Sequence, residues 1–210
     1  MREFDLLVSC ARGNEAEANS EIRYIIGELG DRQSVTDKTD VSGLTVVRSS
    51  LDPVNIISNL RTLLRSKPWQ FRYVLKIKPI QKVVDSNIAD IQSAARHLSN
   101  KIGLDETFRV SIEKRKSKLS SKEIIDAVAL IIKRKVNLTV PDKIVLVEII
   151  GPYTGISIIN QKDVFSVEKE KRIYPSNDSK ADRSMTSRFN ASTSSLTSSF
   201  AASNSFSVTP

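Results

Sequence analysis

The sequence predicts an α+β protein of two consecutive modules followed by a tail, and three observations carry that expectation. Apolar residues recur at strand spacing and at helix spacing in turn, from residue 4 to about residue 159. Over the first 80 residues the order of these patterns is βαββαβ. Near residue 175 the composition changes: 16 of the last 36 residues are Ser or Thr, and apolar periodicity vanishes, leaving too little apolar surface to bury. The expected divisions are 1–80, 81–168 and a disordered Ser/Thr-rich tail over 169–210.

In the first module, residues 4–10 form a short apolar run ending at Arg12-Gly13-Asn14. Ala18, Ile22, Ile25, Ile26 and Leu29 then repeat at helical spacing up to Gly30. Residues 33–48 hold two β-prone runs separated by Asp37-Lys38-Thr39-Asp40, a turn composition that predicts a hairpin. Asp52 supplies an N-cap acceptor and Pro53 a first helical position, and Ile56, Ile57, Leu60, Leu63 and Leu64 share a face. Phe71, Tyr73, Leu75 and Ile77 alternate with Arg72, Val74, Lys76 and Lys78, predicting a strand with one apolar and one largely basic face. This order is the ferredoxin-like split unit. It places two helices on one face of an antiparallel sheet and is expected to leave the other face free.

In the second module, residues 86–103 carry Ile88, Ile91, Ala94, Ala95, Leu98 and Ile102 on one helical face, closed by Gly103. Phe108, Val110 and Ile112 alternate as a strand. Ser120-Ser121-Lys122-Glu123 then reads as a capping box opening a helix to about Lys133, with Ile124, Ile125, Val128, Ile131 and Ile132 on its buried face. Residues 136–138, 144–150 and 156–159 read as extended pieces, the last two as a strand pair around Gly151-Pro152 and Gly155.

Composition narrows the function. The chain has 210 residues, a formal charge of +8 and a pI of about 9.6, a balance that favours polyanionic partners. One cysteine and one histidine exclude internal disulfides and multi-histidine metal sites, and no Walker loop or dinucleotide fingerprint is present. No cofactor or metal is expected. A reducing, cytoplasmic compartment fits the single Cys10, and no apolar run approaches the length of a membrane span.

The charge is concentrated. Residues 1–60 carry 6 basic and 10 acidic side chains, whereas 61–82 carry seven basic and no acidic ones, and 108–135 carry nine basic against three acidic. The segment from Lys114 to Lys118 lies between a strand and a helix N-terminus, whose free amides also favour a phosphate. The candidate nucleic-acid contacts are therefore Arg72, Lys76, Lys78 and Lys82 in the first basic stretch, and Arg109, Lys114, Arg115, Lys116, Lys118, Ser121 and Lys122 in the second. Trp69 is an ambiguous stacking residue, Phe71 is expected in the core by parity, Cys10 as a small buried hydrophobe, and His97 on the surface.

Three stretches together carry a resemblance: residues 108–125 (FRVSIEKRKSKLSSKEII), 135–142 (KVNLTVPD) and 145–150 (VLVEII). In order and spacing this resembles the THUMP domain, an RNA-binding module of tRNA-modifying proteins, which is commonly preceded by a ferredoxin-like module. The whole is most similar to the stand-alone THUMP proteins that assist tRNA cytidine N4-acetylation. The resemblance implies an α/β THUMP module over 81–168 and a non-catalytic protein that presents tRNA to a separate acetyltransferase. Its partners would then be tRNA and that enzyme, with neither membrane nor DNA involved. Asn137 stands where the family usually has aspartate. The competing reading, from the first module alone, is a ferredoxin-like small-ligand sensor with a basic surface.

Overall fold

The computed structural model describes residues 2–173; the part of the expected disordered tail from residue 174 onward lies outside the described residues. The first module forms β1 (Leu6–Cys10), α1 (Glu15–Glu28), β2 (Val35–Lys38), β3 (Leu44–Arg48), α2 (Pro53–Ser66) and β4 (Val74–Pro79). Its strands pair antiparallel in the order β2-β3-β1-β4, the expected ferredoxin-like topology. Local chemistry sets the elements. Asp52 caps α2 by accepting from the Val54 and Asn55 amides, with Pro53 as the first helical residue. Leu6, Val8, Val47, Val74 and Ile77 on the sheet meet Ile22, Ile25, Ile26, Ile56, Ile57 and Leu60 on the two helices in one core.

The second module adds β5 (Lys82–Asp85), α3 (Ile88–Leu98), β6 (Phe108–Arg115), α4 (Ser121–Ile131), β7 (Lys143–Ile150) and β8 (Tyr153–Ile159). They form a second sheet of order β5-β8-β7-β6, in which β6 and β7 run parallel and the other pairs antiparallel. Val145, Val147, Ile149, Ile156 and Ile158 pack under Ile91, Ala95, Leu98, Ile124 and Val128 of α3 and α4. Ser120 caps α4 by accepting from the Glu123 amide.

Several expectations are corrected. The outer face of the first sheet is not free: Leu7, Leu44 and Val46 form a core with Ile80 and Ile150, so the outer faces of the two sheets are buried against each other. At Gly155 a Cβ would come within 3.0 Å of the Ile80 side chain, so the approach there requires glycine. Strand β4 does not keep simple alternation. Ser9 pairs Lys76 and Cys10 pairs Val74, which leaves Leu75 as an extra residue in a bulge. Val74 and Ile77 therefore enter the core while Tyr73 and Leu75 stay exposed. On α4, Ile125 is exposed; Ile124, Val128 and Ile132 are buried.

The chain also returns to its beginning. Just before the expected boundary at 168, β9 (Phe165–Ser166) pairs antiparallel with β4, and α5 (Val167–Ile173) then carries the structured chain past it. Phe165 meets Phe71 with ring centroids 5.7 Å apart, and Arg61 pairs with Glu170 at 2.7 Å. Phe71 is thus buried, as expected, but by a residue from the far end of the described chain. Cys10 is buried, and His97 and Trp69 are exposed.

Glu15 joins the start of α1 to the β2–β3 turn. Its carboxylate accepts the Gly43 amide at 2.5 Å, then the Gly13 amide and the Ser42 hydroxyl. These bonds, the Gly43 amide foremost, lower its pKa to about 2 from the usual 4.5. A lowered folded-state pKa gives stability that is present above pH 4.5 and is lost as the pH falls through about 2. The Glu15→Gln variant should therefore show a shallower fall of urea stability between pH 4.5 and pH 2 than the parent; equal slopes would disprove the tether.

Candidate nucleic-acid interface

Strand parity decides what the basic residues do. Along β6, Phe108, Val110 and Ile112 face the helices, so Arg109, Ser111, Glu113 and Arg115 face the first sheet. In the parallel register Glu113 lies beside Glu148, and Glu148 is fully buried. Two adjacent carboxylates, one fully buried and the other partly exposed, call for cations. Lys78 of β4 donates to Glu113 at 2.6 Å and to Glu148 at 2.5 Å, and Arg115 donates to Glu148 at 3.0 Å and to Glu113 at 2.7 Å. Burial raises the Glu148 pKa, against the pull of Lys78. Glu113 is held below the usual carboxylate range by the Lys78 hydrogen bond and charge and by Arg115, which outweigh its own desolvation. Half-buried Lys76 sits in the same field, and desolvation, with neighbouring Lys78, lowers its pKa.

Two of the expected contacts are thereby corrected. Lys78 is only 5% exposed, because the outer face of β4 is packed against the second sheet, and it neutralises glutamates within the protein. Arg115 turns inward on β6 and is committed to the same network. Arg109, at the other end of β6, reaches the Leu138 carbonyl at 3.4 Å and the Gln161 side chain at 3.2 Å. Arg72 and Lys82 are exposed but belong to other regions of the surface: the Arg72 amide donates to Glu21 in the middle of α1, and Lys82 is on β5.

What remains together is the segment after β6. The Arg115 carbonyl accepts the Gly151 amide at 2.9 Å, which pins the chain immediately before Lys116. Lys116 has φ 53°, a left-handed conformation rare for a non-glycine residue. Lys114 is exposed and donates to the Leu119 carbonyl at 2.7 Å, closing the loop on itself. Lys116, Lys118 and Lys122 project from the loop and the first turn of α4, all exposed, with Ser121 half-buried beside them. Lys116 and Lys118 rim an open groove of about 610 Å³, whose other walls include Arg2, Asp85, Ser86, Asn87 and Tyr153, with Asp85 paired to Arg2 at 3.6 Å. Arg2 lies over the Tyr153 ring at 5.8 Å. The arrangement offers cations, hydroxyls and a ring face, the chemistry that phosphates and unpaired bases use. Sequence reasoning missed Arg2 and Tyr153, which lie far from the basic runs. The lone glutamate in the apolar run VLVEII was the available signal for Lys78 and Arg115, since a buried charge needs a partner.

The motif residues are scaffold. Asn137 accepts the Thr139 and Val140 amides, as an aspartate would, and donates to the Val140 carbonyl at 2.8 Å, which an aspartate cannot do. Asp142 accepts the amide and hydroxyl of Thr107 at 2.8 and 2.6 Å. Ser120 is a cap and Glu148 the centre of the ion network.

Residues 85–159 match the family model of the THUMP domain, so the second sheet with α3 and α4 is a THUMP domain. The first sheet and its helices lie outside that match. Among solved structures, PH1313 of Pyrococcus horikoshii is 16% identical with a TM-score of 0.55, over 78% of this chain and 55% of that one. A 4-thiouridine synthetase solved with RNA and ATP is 14% identical with a TM-score of 0.50, over 78% of this chain and 42% of that one. At these identities the likeness is one of fold. The THUMP domain of THUMP domain-containing protein 1 is 26% identical over 35% of this chain and 85% of that one, with a TM-score of 0.32. No curated protein matches the sequence. The chain thus spans about half the length of the larger structures it resembles. No helix among the described residues is long and apolar enough to cross a membrane.

Removing Glu148 leaves Glu113 alone to neutralise both Lys78 and Arg115, and breaking a buried pair costs about 3 kcal/mol or more. Glu148→Ala should show that loss in urea denaturation. Combining Glu148→Leu with Lys78→Met, which replaces buried charge with apolar volume, should recover at least half of it. A loss below about 1 kcal/mol in the single variant would remove the network from its structural role.

Proposed function

We propose that this protein is a non-catalytic tRNA-binding adaptor that presents tRNA to a separate modifying enzyme, a tRNA cytidine acetyltransferase. The observation that carries the reading is a coincidence of place. The THUMP match spans the loop whose Lys116 and Lys118 stay in solvent at a groove, with Lys122 exposed on the first turn of α4, while Lys78 and Arg115 are paired within the protein. That one matched fold was solved with RNA supports the ligand class. A phosphate backbone tracking the loop would meet the lysines and the α4 N-terminus together, and the Tyr153 ring is placed for an unpaired base. A sensor built on the open face of the first sheet loses its binding surface, because Leu7, Leu44 and Val46 are covered by Ile80 and Ile150. As an adaptor, the protein contributes position: holding tRNA in one orientation lowers the entropic cost of the partner's reaction.

Charge reversal of Lys116 and Lys118 together should weaken tRNA binding by about tenfold or more and reduce the slope of log K against log salt by about two. The melting temperature should stay unchanged, since neither side chain has a structural partner among the described residues. Unchanged affinity in the folded double variant would refute the interface. In a reconstituted assay, the protein with tRNA and acetyl-CoA should give no acetylcytidine, and its addition to the acetyltransferase should raise the yield. Product without the enzyme, or an enzyme indifferent to the protein, would overturn the adaptor reading.

A further inference from the structure

The same domain exposes a second surface that the RNA reading leaves unused. Leu104 is 82% exposed, Val136 50%, Leu138 73% and Val140 75%. They lie on two neighbouring segments, residues 134–142 and residues 102–109, that are tied to each other. The Arg134 guanidinium donates to the Gly103 carbonyl at 2.9 Å, the Asn137 amide donates to the Phe108 carbonyl at 3.0 Å, and Asp142 is tied to Thr107. The Asn137 turn fixes the backbone from which Leu138 and Val140 project. Four aliphatic side chains kept in water by a rigid scaffold are a surface built to be covered. They offer RNA no hydrogen bonds and no ring to stack on.

The fringe identifies the kind of cover. Lys101, Lys133 and Lys135 are exposed beside the patch and have no ion-pair partner among the described residues. Asp105 and Asp142 are the exposed carboxylates of the same segments against these three lysines, so the rim keeps a small net positive charge. Two copies of this chain meeting through the patch would bring these lysines together, and like charges across an interface oppose association. We infer that Leu104, Val136, Leu138 and Val140 dock a different protein, one whose contact surface is apolar at its centre and carries Asp and Glu at its edge. This rests on the adaptor reading, in which the partner is the modifying enzyme. The two surfaces would divide the work of the domain, with RNA at the Lys116 end of β6 and protein at the Phe108 end.

The test uses the full chain and the purified acetyltransferase of the same cell as the probe. The triple variant Leu104→Ser, Leu138→Ser, Val140→Ser should lose enzyme binding by tenfold or more in a titration, while keeping its melting temperature and its tRNA affinity within twofold. Lys133→Gln with Lys135→Gln should weaken enzyme binding and flatten its salt dependence. Enzyme binding and stimulation that persist in the triple variant would overturn the docking site and leave the adaptor reading intact. Failure of the parent protein to bind or stimulate the enzyme would overturn both. A tenfold loss of tRNA affinity in the triple variant, patch-dependent binding to anionic vesicles, or a dimer dispersed by the substitutions would each assign the surface to another occupant and overturn the inference.

Discussion

Two glutamates set the problem that the rest of the structure solves. The parallel register of β6 and β7 puts the partly exposed Glu113 beside the fully buried Glu148 on the face turned toward the first sheet. Their charges are tolerable only because Lys78 arrives from β4 and Arg115 from β6 itself. Each cation bridges both carboxylates, so the junction behaves as one four-membered unit rather than as separate pairs. Such a unit contributes little net stability over apolar packing, but it is intolerant of a missing member. It also specifies which faces meet, since any other apposition would bury glutamates without cations.

That junction reaches the surface through the backbone. Arg115 is held by its side chain and, through its carbonyl, by Gly151; the next residue, Lys116, adopts a left-handed conformation that turns the chain out toward solvent. The basic loop therefore leaves from a fixed point on the backbone, while its exposed lysine side chains stay free in solvent. The return of β9 and α5 to β4 adds a further tie, because it joins the end of the second module to the sheet of the first. The two modules form one frame for the loop.

Much of the fold was legible in the sequence because short-range rules governed it. The βαββαβ order, the Asp52 and Ser120 caps and the β2–β3 hairpin all follow from local chemistry. What was not legible depended on contacts distant along the chain. Parity alone put Tyr73 and Leu75 in the core and Val74 outside it; the bulge at Leu75, set by pairing with β1, reversed that. The two-residue strand β9 has too little pattern to be seen, and β5 was hidden among mixed residues. In the candidate interface, charge density located the loop but could not separate Lys116 and Lys118, which remain in solvent, from Lys78 and Arg115, which answer buried glutamates. The motif that carried the family resemblance is mostly scaffold, so it located the domain without locating its contacts.

Hydrogen exchange of the full chain with and without tRNA tests the central claim most directly, because it reports the contacted backbone without altering a residue. The account predicts slowed exchange over residues 116–122 and 151–153, at the loop and across the groove, with no change over residues 74–79. Protection centred on residues 74–79, with none at the loop, would contradict it by returning RNA to a sheet face that the structure assigns to the interior.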